Sequence, residues 1–168
     1  MAQVDIITVN SMDNDRIAGL TDLLIAVVED GASVGFLPPL SREEAANYWG
    51  KLMSPGVILW IAKRDNRIIG SVQLHLAMKR NAGHRAEVAK LMILPGERRK
   101  GVGRMLMQRL EEEAKEQGRT LLILDTRTGD PANHLYRSLN FQEVGRIPNY
   151  AKSPDGQLHE TVFYFKEL

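Results

Sequence analysis

The sequence predicts a mixed α/β (α+β) fold: one sheet with a long hairpin in its middle and helical crossovers in its second half. Three observations carry this. Strand-length apolar runs and helix-length amphipathic segments follow the order β-α-α-β-β-β-α-β-α-β-β. Two apolar runs meet at Asp65-Asn66, which suits a two-residue hairpin turn. The later strands are separated by helical spacing, as crossover connections require.

Val4 to Val9 is rich in β-branched residues and reads as the first strand. Ser11, Asp13 and Asn14 offer N-caps for a helix from about Asp15 to Asp30, where Ile17, Leu20, Leu24, Val27 and Val28 recur at helical spacing. Gly31 stops it, and Gly31 to Leu40, with its Pro38-Pro39 pair, is a loop. Ser41 and Glu44 form a capping-box pattern ahead of a helix from about Arg42 to Met53, which Ser54-Pro55-Gly56 ends. Val57 to Arg64 and Arg67 to Lys79 are the hairpin strands, and after a polar loop Arg85 to Leu94 is the next strand. A helix follows from about Gly101 to Gln117, with Val102, Met105, Leu106, Leu110 and Ala114 as its apolar stripe and Gly118 as its stop. Thr120 to Thr126 is a strand, and about Pro131 to Leu139 is a short helix with proline in its first turn. Phe141 to Gly145 and Thr161 to Lys166 are closing strands, with Arg146 to Glu160 between them as a loop containing two prolines and an Asp155-Gly156 turn.

A chain of 168 residues without linker, repeat or low-complexity tract is expected to form a single domain over 1–168. Its 22 basic and 21 acidic residues leave a net charge of +1, so nothing global favours nucleic acid or an acidic membrane surface. With no cysteine, disulfides, thiolate metal sites and a cysteine nucleophile are excluded. His75, His84, His134 and His159 lack the paired spacing of a metal site, so no metal is expected. Trp49 and Trp60 read as core in preference to a substrate-cleft wall. Met1 to Val9 shows no signal-peptide pattern and no apolar run has bilayer length, so a cytoplasmic location is expected.

Residues 88 to 104 carry the strongest functional signal. An apolar strand ends at Pro95, and a loop with Arg98, Arg99, Lys100, Gly101 and Gly103 leads straight into a helix opened by Arg104. A helix N-terminus presents unpaired N–H groups and partial positive charge, and glycines let a phosphate approach the backbone. Two familiar phosphate motifs fail: Val102 follows Gly101 where a P-loop needs lysine, and Leu106 stands where a Rossmann fingerprint needs a third glycine.

What the segment does match is Arg/Gln-x-x-Gly-x-Gly/Ala, as Arg98-Arg99-Lys100-Gly101-Val102-Gly103. This resembles the acetyl-CoA loop of the GCN5-related N-acetyltransferase (GNAT) superfamily. The strand–loop–helix–strand–helix order and Leu135-Tyr136-Arg137-Ser138-Leu139-Asn140-Phe141 resemble it too. Gly31-Ala32-Ser33-Val34-Gly35-Phe36-Leu37 and the tail from Val144-Gly145 through Pro154-Asp155-Gly156-Gln157-Leu158-His159 to Phe165 look like the tabtoxin-resistance acetyltransferase branch, whose substrate is an antibiotic dipeptide.

The resemblance implies a mostly antiparallel central sheet of about seven strands flanked by four helices, and acetyl-CoA as cosubstrate. It implies that Arg98, Arg99, Lys100, Gly101, Val102, Gly103 and Arg104 face the pyrophosphate, and that the backbone of Leu91, Met92 and Ile93 pairs with the pantetheine arm. Tyr136 matches the family's thiolate-protonating tyrosine, with Asn140 in place of the usual glycine after its helix. Gly129 stands where the family often has a cofactor-binding asparagine, leaving Asn133 as the substitute. Asp125 and Glu87 are both candidates for the base that deprotonates the amine. Phe36, Leu37, Tyr150 and His159 are the implied acceptor contacts. Without cysteine, the amine attacks acetyl-CoA directly in a ternary complex. The implied acceptor is a small-molecule amine such as an amino acid, an antibiotic or a toxin dipeptide, with an antibiotic-resistance role and a homodimer as further expectations. A protein N-terminus or lysine as acceptor, or a non-catalytic CoA-binding module, are the alternatives.

Overall fold

The computed structural model describes residues 2–168. Its elements are β1 (Asp5–Thr8), α1 (Asn14–Glu29), α2 (Arg42–Gly50), β2 (Val57–Arg64), β3 (Arg67–Leu76), β4 (Arg85–Ile93), α3 (Val102–Glu116), β5 (Leu121–Arg127), α4 (Ala132–Ser138), β6 (Gln142–Lys152) and β7 (Leu158–Glu167). One seven-stranded sheet runs in the order β1-β2-β3-β4-β5-β7-β6. All neighbours are antiparallel except β4 and β5, which the α3 crossover makes parallel. The expected mixed fold, with about seven strands and four helices, is the observed one.

Local chemistry explains most element ends. Asp13 is the cap of α1 and accepts the Arg16 N–H at 2.8 Å. Ser41 accepts the Glu44 N–H at 3.1 Å, as the capping-box pattern predicts. Asp65 and Asn66 take φ of 48° and 66°, the left-handed pair that a tight hairpin turn needs. The second helix ends at Gly50 rather than Met53: the Lys51 N–H makes the last regular bond, to the Asn47 carbonyl, and the Leu52 N–H then closes a tighter turn on the Trp49 carbonyl at 3.2 Å.

Both tryptophans are fully buried, with Leu59, Ile61, Leu74, Leu106 and Leu110. The stripe of α3 differs in one residue: Met107 is buried and Met105 is exposed. The series 102–106–110–114 drifts around the helix at 3.6 residues per turn, carrying Met107 inward.

The largest departure is at the C-terminal hairpin. The segment expected as a loop, Arg146 to Glu160, is mostly strand: β6 reaches Lys152 and β7 starts at Leu158. Pro148 sits where the β6–β7 register slips between Ile147 and Ala151, and Asn149 takes φ of 55°. Such an irregular edge tolerates proline. Almost all of β6 is exposed, so no buried alternation marks it in the sequence. No described helix is long and apolar enough to cross a membrane.

Candidate active site

The site is built where β4 and β5 part. Their parallel ladder holds only Arg85, Ala86 and Glu87 against Leu121, Leu122 and Ile123. Beyond it β4 bulges: the register with β3 slips between Ser71 and Gln73, and Lys90 takes φ of 50°. From Val88 onward β4 has no ladder to β5, so an edge with backbone hydrogen-bonding groups faces the gap. Leu91, Met92 and Ile93 lie on that stretch.

The basic loop closes one end of the gap. Arg99 and Gly101 take φ of 61° and 83°, and Gly101 caps α3 with no side-chain hydrogen bond. Among the described residues the backbone N–H groups of Arg99 through Arg104 donate to nothing. Alternating left-handed residues with unspent amides form an anion-binding nest at the helix N-terminus. The two glycines have different reasons. Gly101 supplies a positive φ in open space, whereas a Cβ on Gly103 would lie 3.1 Å from Leu135 Cδ2. Gly103 also lets α3 pack close against α4 while its N–H stays unspent.

The cations of the loop are not equivalent. Arg98 pairs with Asp30 at 2.6 Å and donates to the Ile93 carbonyl. Arg104 donates to Ser138 Oγ at 2.7 Å, and Lys100 lies 3.4 Å from Glu97, which also pairs with Arg64. Arg99 has no side-chain partner among the described residues.

Tyr136 is 5 % exposed and stacks edge-on against Phe141, with Tyr164 beside it. Its hydroxyl donates to nothing among the described residues, yet it is not sealed from solvent. Burial pushes the phenol well above its ordinary value, and the charge of Asp125 adds to this. Asn140 takes φ of 67° and the Phe141 N–H returns to the Tyr136 carbonyl at 3.0 Å, so asparagine does stop this helix. Asn133 does not face the gap. Its amide nitrogen donates to the Arg127 and Asp130 carbonyls, and its oxygen accepts the Tyr164 hydroxyl at 2.7 Å. Those bonds pin the start of α4 to the core, so the cofactor contact expected of Asn133 is withdrawn.

Opposite Tyr136 lies a polar cluster. Asp125 accepts from Thr161 Oγ1 at 2.8 Å. Glu87 is exposed and pairs across the sheet with His75. Between them stands Lys90, whose Nζ donates to the Val34 carbonyl at 3.0 Å and lies over the rings of Phe36 and Tyr48 at 5.9 and 5.7 Å. Burial lowers the Lys90 ammonium below the usual lysine range, while Glu87 and Asp125 oppose that. His75 is likewise lowered by burial, and its Nε2 bonds Gln73 Oε1 at 2.8 Å, while Gln73 Nε2 donates to the Tyr48 hydroxyl.

The sequence reading missed Lys90, His75, Gln73 and Tyr48. One signal was present. Lys90 interrupts the apolar run Val88 to Ile93 of β4, and Ser71, Gln73 and His75 put polar side chains at alternate positions of β3.

The expected acceptor residues separate into two kinds. Phe36 packs edge-on against Tyr48 under Lys90, and Leu37 is exposed beside it. Tyr150 is exposed and packs against Phe163. His159 is tied at both ring nitrogens, to Ser33 Oγ at 3.2 Å and Ser153 Oγ at 2.7 Å. With both ring nitrogens engaged, it fastens the 31–37 loop to the β6–β7 hairpin, a positioning role in place of the substrate contact expected of it.

Residues 23–141 match the model of the acetyltransferase (GNAT) family. The chain belongs to this family. An N-acetyltransferase of Azospirillum brasilense, named from the hisH-hisA intergenic region and uncharacterised, is 34% identical over 127 residues, covering 72% of this chain and 76% of that one. A second protein of that organism, named IAA acetyltransferase, is 27% identical and covers 83% of this chain and 90% of its own length. Among solved structures, a putative acetyltransferase from Salmonella typhimurium with its cofactor acetyl-CoA superposes with a TM-score of 0.80 at 17% identity, covering 98% and 94% of the two chains. This GNAT chain is therefore an acetyltransferase, and its free β4 edge and uncapped amide nest suit the arm and the pyrophosphate of acetyl-CoA.

Proposed function

We propose that this chain acetylates the primary amine of a small molecule, with acetyl-CoA as donor and with both bound at once. When bound, acetyl-CoA supplies a thioester whose carbonyl carbon accepts the amine and whose sulfur leaves. The amides of Arg99 to Arg104 hold the pyrophosphate, aided by Arg99, and the β4 edge at Leu91 to Ile93 orients the arm. Val102 contributes its N–H as the first residue of α3, while Arg98, Lys100 and Arg104 set the loop's shape and field through their partners.

The observation that carries the reading is the Tyr136 hydroxyl. A tyrosine serving only the core would spend its hydroxyl internally, as neighbouring Tyr164 does on Asn133. Tyr136 has no competing acceptor, so its O–H is free to point at a departing thiolate, and burial keeps it protonated without making it a stronger acid. Asp125 is the base in this reading. One carboxylate oxygen is oriented by Thr161, and the other is left to take the amine proton. The Lys90 ammonium disfavours a second positive charge beside it and so favours the neutral, attacking form of the amine. Glu87 gives a second reading, because its exposed carboxylate on the His75 and Lys90 side suits proton removal through water.

The two segments resembling the tabtoxin-resistance branch are joined by the Ser33–His159 bond, which supports an antibiotic- or toxin-like amine as acceptor. The test is a thiol-release screen of amino acids, dipeptides, amine antibiotics and basic peptides, preceded by calorimetric titration with acetyl-CoA. Absence of acetyl-CoA binding overturns the reading. Turnover of peptides alone overturns the small-molecule acceptor.

A further inference from the structure

A cavity of about 220 Å³ lies between the 31–37 loop, the end of β5 and the end of β6. Ser33, Gly35 and Phe36 form one wall, Arg127 another, and Ala151 with Lys152 the third. Two cations face it and no carboxylate lines it. The Arg127 guanidinium is held by two bonds, from Nε to Asp130 Oδ1 at 2.8 Å and from Nη2 to the Gly31 carbonyl at 2.9 Å. That leaves Nη1 without a partner among the described residues. Lys152 has no ion-pair partner among them either. The N–H groups of Ser33 through Leu37 also donate to nothing.

The walls are fixed in advance. Arg127 holds the loop at Gly31, His159 holds it at Ser33, and Lys90 holds it at Val34. Ordering a loop before binding lowers the entropic cost of association. The cavity also adjoins the site. Arg127 is two residues beyond Asp125 on β5, so both side chains leave the same face about 7 Å apart. Phe36 belongs both to the cavity wall and to the stack under Lys90.

We propose that this cavity is an anion subsite, and that the acceptor is an amine carrying a carboxylate or a phosphonate. The anion sits against Arg127, Lys152 and the loop amides, and the amine reaches Asp125. This rests on the acetyl-transfer reading for the amine end only, since the subsite recognises charge whether or not transfer occurs.

Two experiments test it on the full chain. In the first, 15N amide spectra of the CoA-bound protein follow titration with N-acetyl-β-alanine, with its uncharged amide, and with N-acetyl-aminoethylphosphonate. The acids shift Ser33, Gly35 and Phe36, the uncharged amide does not, and Lys152→Gln weakens the acids by about 3- to 10-fold. Lys152 is exposed with no partner to lose, so this variant folds. Arg127→Lys keeps the charge but loses the fork, and weakens binding further. Equal shifts from acid and amide, no shift from either, or an unchanged affinity in Lys152→Gln overturns the subsite. The relative strength of the carboxylate and the phosphonate tells which anion it takes. In the second, thiol release is compared for β-alanine, aminoethylphosphonate and their uncharged analogues. The acids have the lower KM, and Lys152→Gln raises KM for the acids alone with kcat unchanged. Equal KM for acids and uncharged analogues again overturns the subsite. Binding at these amides with no turnover of any amine overturns the acetyl-transfer reading and leaves the subsite standing.

Discussion

Tyr136 and Tyr164 lie side by side, with ring centroids 6.1 Å apart, and their phenylalanine variants separate chemistry from packing. Removing the Tyr136 hydroxyl leaves no orphaned partner, because the hydroxyl bonds nothing among the described residues. Tyr136→Phe should therefore change stability by no more than about 0.5 kcal/mol. Its activity should fall by about 100-fold or more, the span that loss of a positioned general acid produces. Tyr164→Phe does the reverse. It strips Asn133 Oδ1 of the hydroxyl it accepts inside the core, which costs about 1–3 kcal/mol. At about 2–4 °C per kcal/mol for a chain of this size, the melting temperature falls by several degrees, while kcat stays within a few-fold. Urea titrations and initial rates of thiol release, at saturating acetyl-CoA from pH 7 to pH 10, give both numbers. The wild-type rate should show no alkaline loss from Tyr136 over that range, since burial holds its proton beyond the ordinary phenol value of about 10. The raised value also fixes a sign. Its stabilising contribution is complete below about pH 10 and is lost as pH climbs towards the folded value, so Tyr136→Phe should be the less alkali-sensitive protein. Unchanged turnover in Tyr136→Phe at every pH, or a larger stability loss there than in Tyr164→Phe, would refute the reasoning.

Other expectations follow from the same geometry. Asp125→Asn should lower kcat by about 100-fold at pH 7 and recover part of it at alkaline pH, where the amine sheds its own proton; Glu87→Gln should stay within about 10-fold, and the opposite ranking in a pH–rate series assigns the base to Glu87. Lys90→Met should move the activity optimum to higher pH and make the 31–37 loop more open to limited proteolysis, because the tether at the Val34 carbonyl is lost. Lys90 is lowered on folding, so the wild type should gain stability as pH rises towards the usual lysine value, and Lys90→Met should lose that slope in alkaline melts. Gly101→Ala should raise KM for acetyl-CoA and cost about 1 kcal/mol from its φ of 83° alone, whereas Gly103→Ala should act through Leu135 and loosen α4, which calorimetry and thermal melts distinguish.

What was legible in the sequence was what neighbouring residues decide among themselves. The Asp13 and Ser41 caps, the Asp65-Asn66 turn, the left-handed stop at Asn140 and the basic loop before α3 are local devices, set by hydrogen bonds a few residues long. Elements with a buried face were legible for the same reason, since burial writes a period into the chain. The second half of β6, beyond Gly145, escaped because its side chains are exposed, so no burial period marks it, and because its pairing slips around Pro148.

The site divides along the same line. The sequence alone determined the fold class, the family and the amide nest, since each rests on contiguous residues. Only the tertiary structure decided what each side chain is free to do. It spent Asn133 on Tyr164, Arg98 on Asp30 and His159 on two serines, and it left Tyr136 and Arg127 Nη1 without partners. It also set Lys90 of β4 beside Asp125 of β5 and under a loop more than fifty residues upstream. Those pairings follow from sheet order and from which strands part, and a charge has no way of carrying its distant partner in its own sequence neighbourhood.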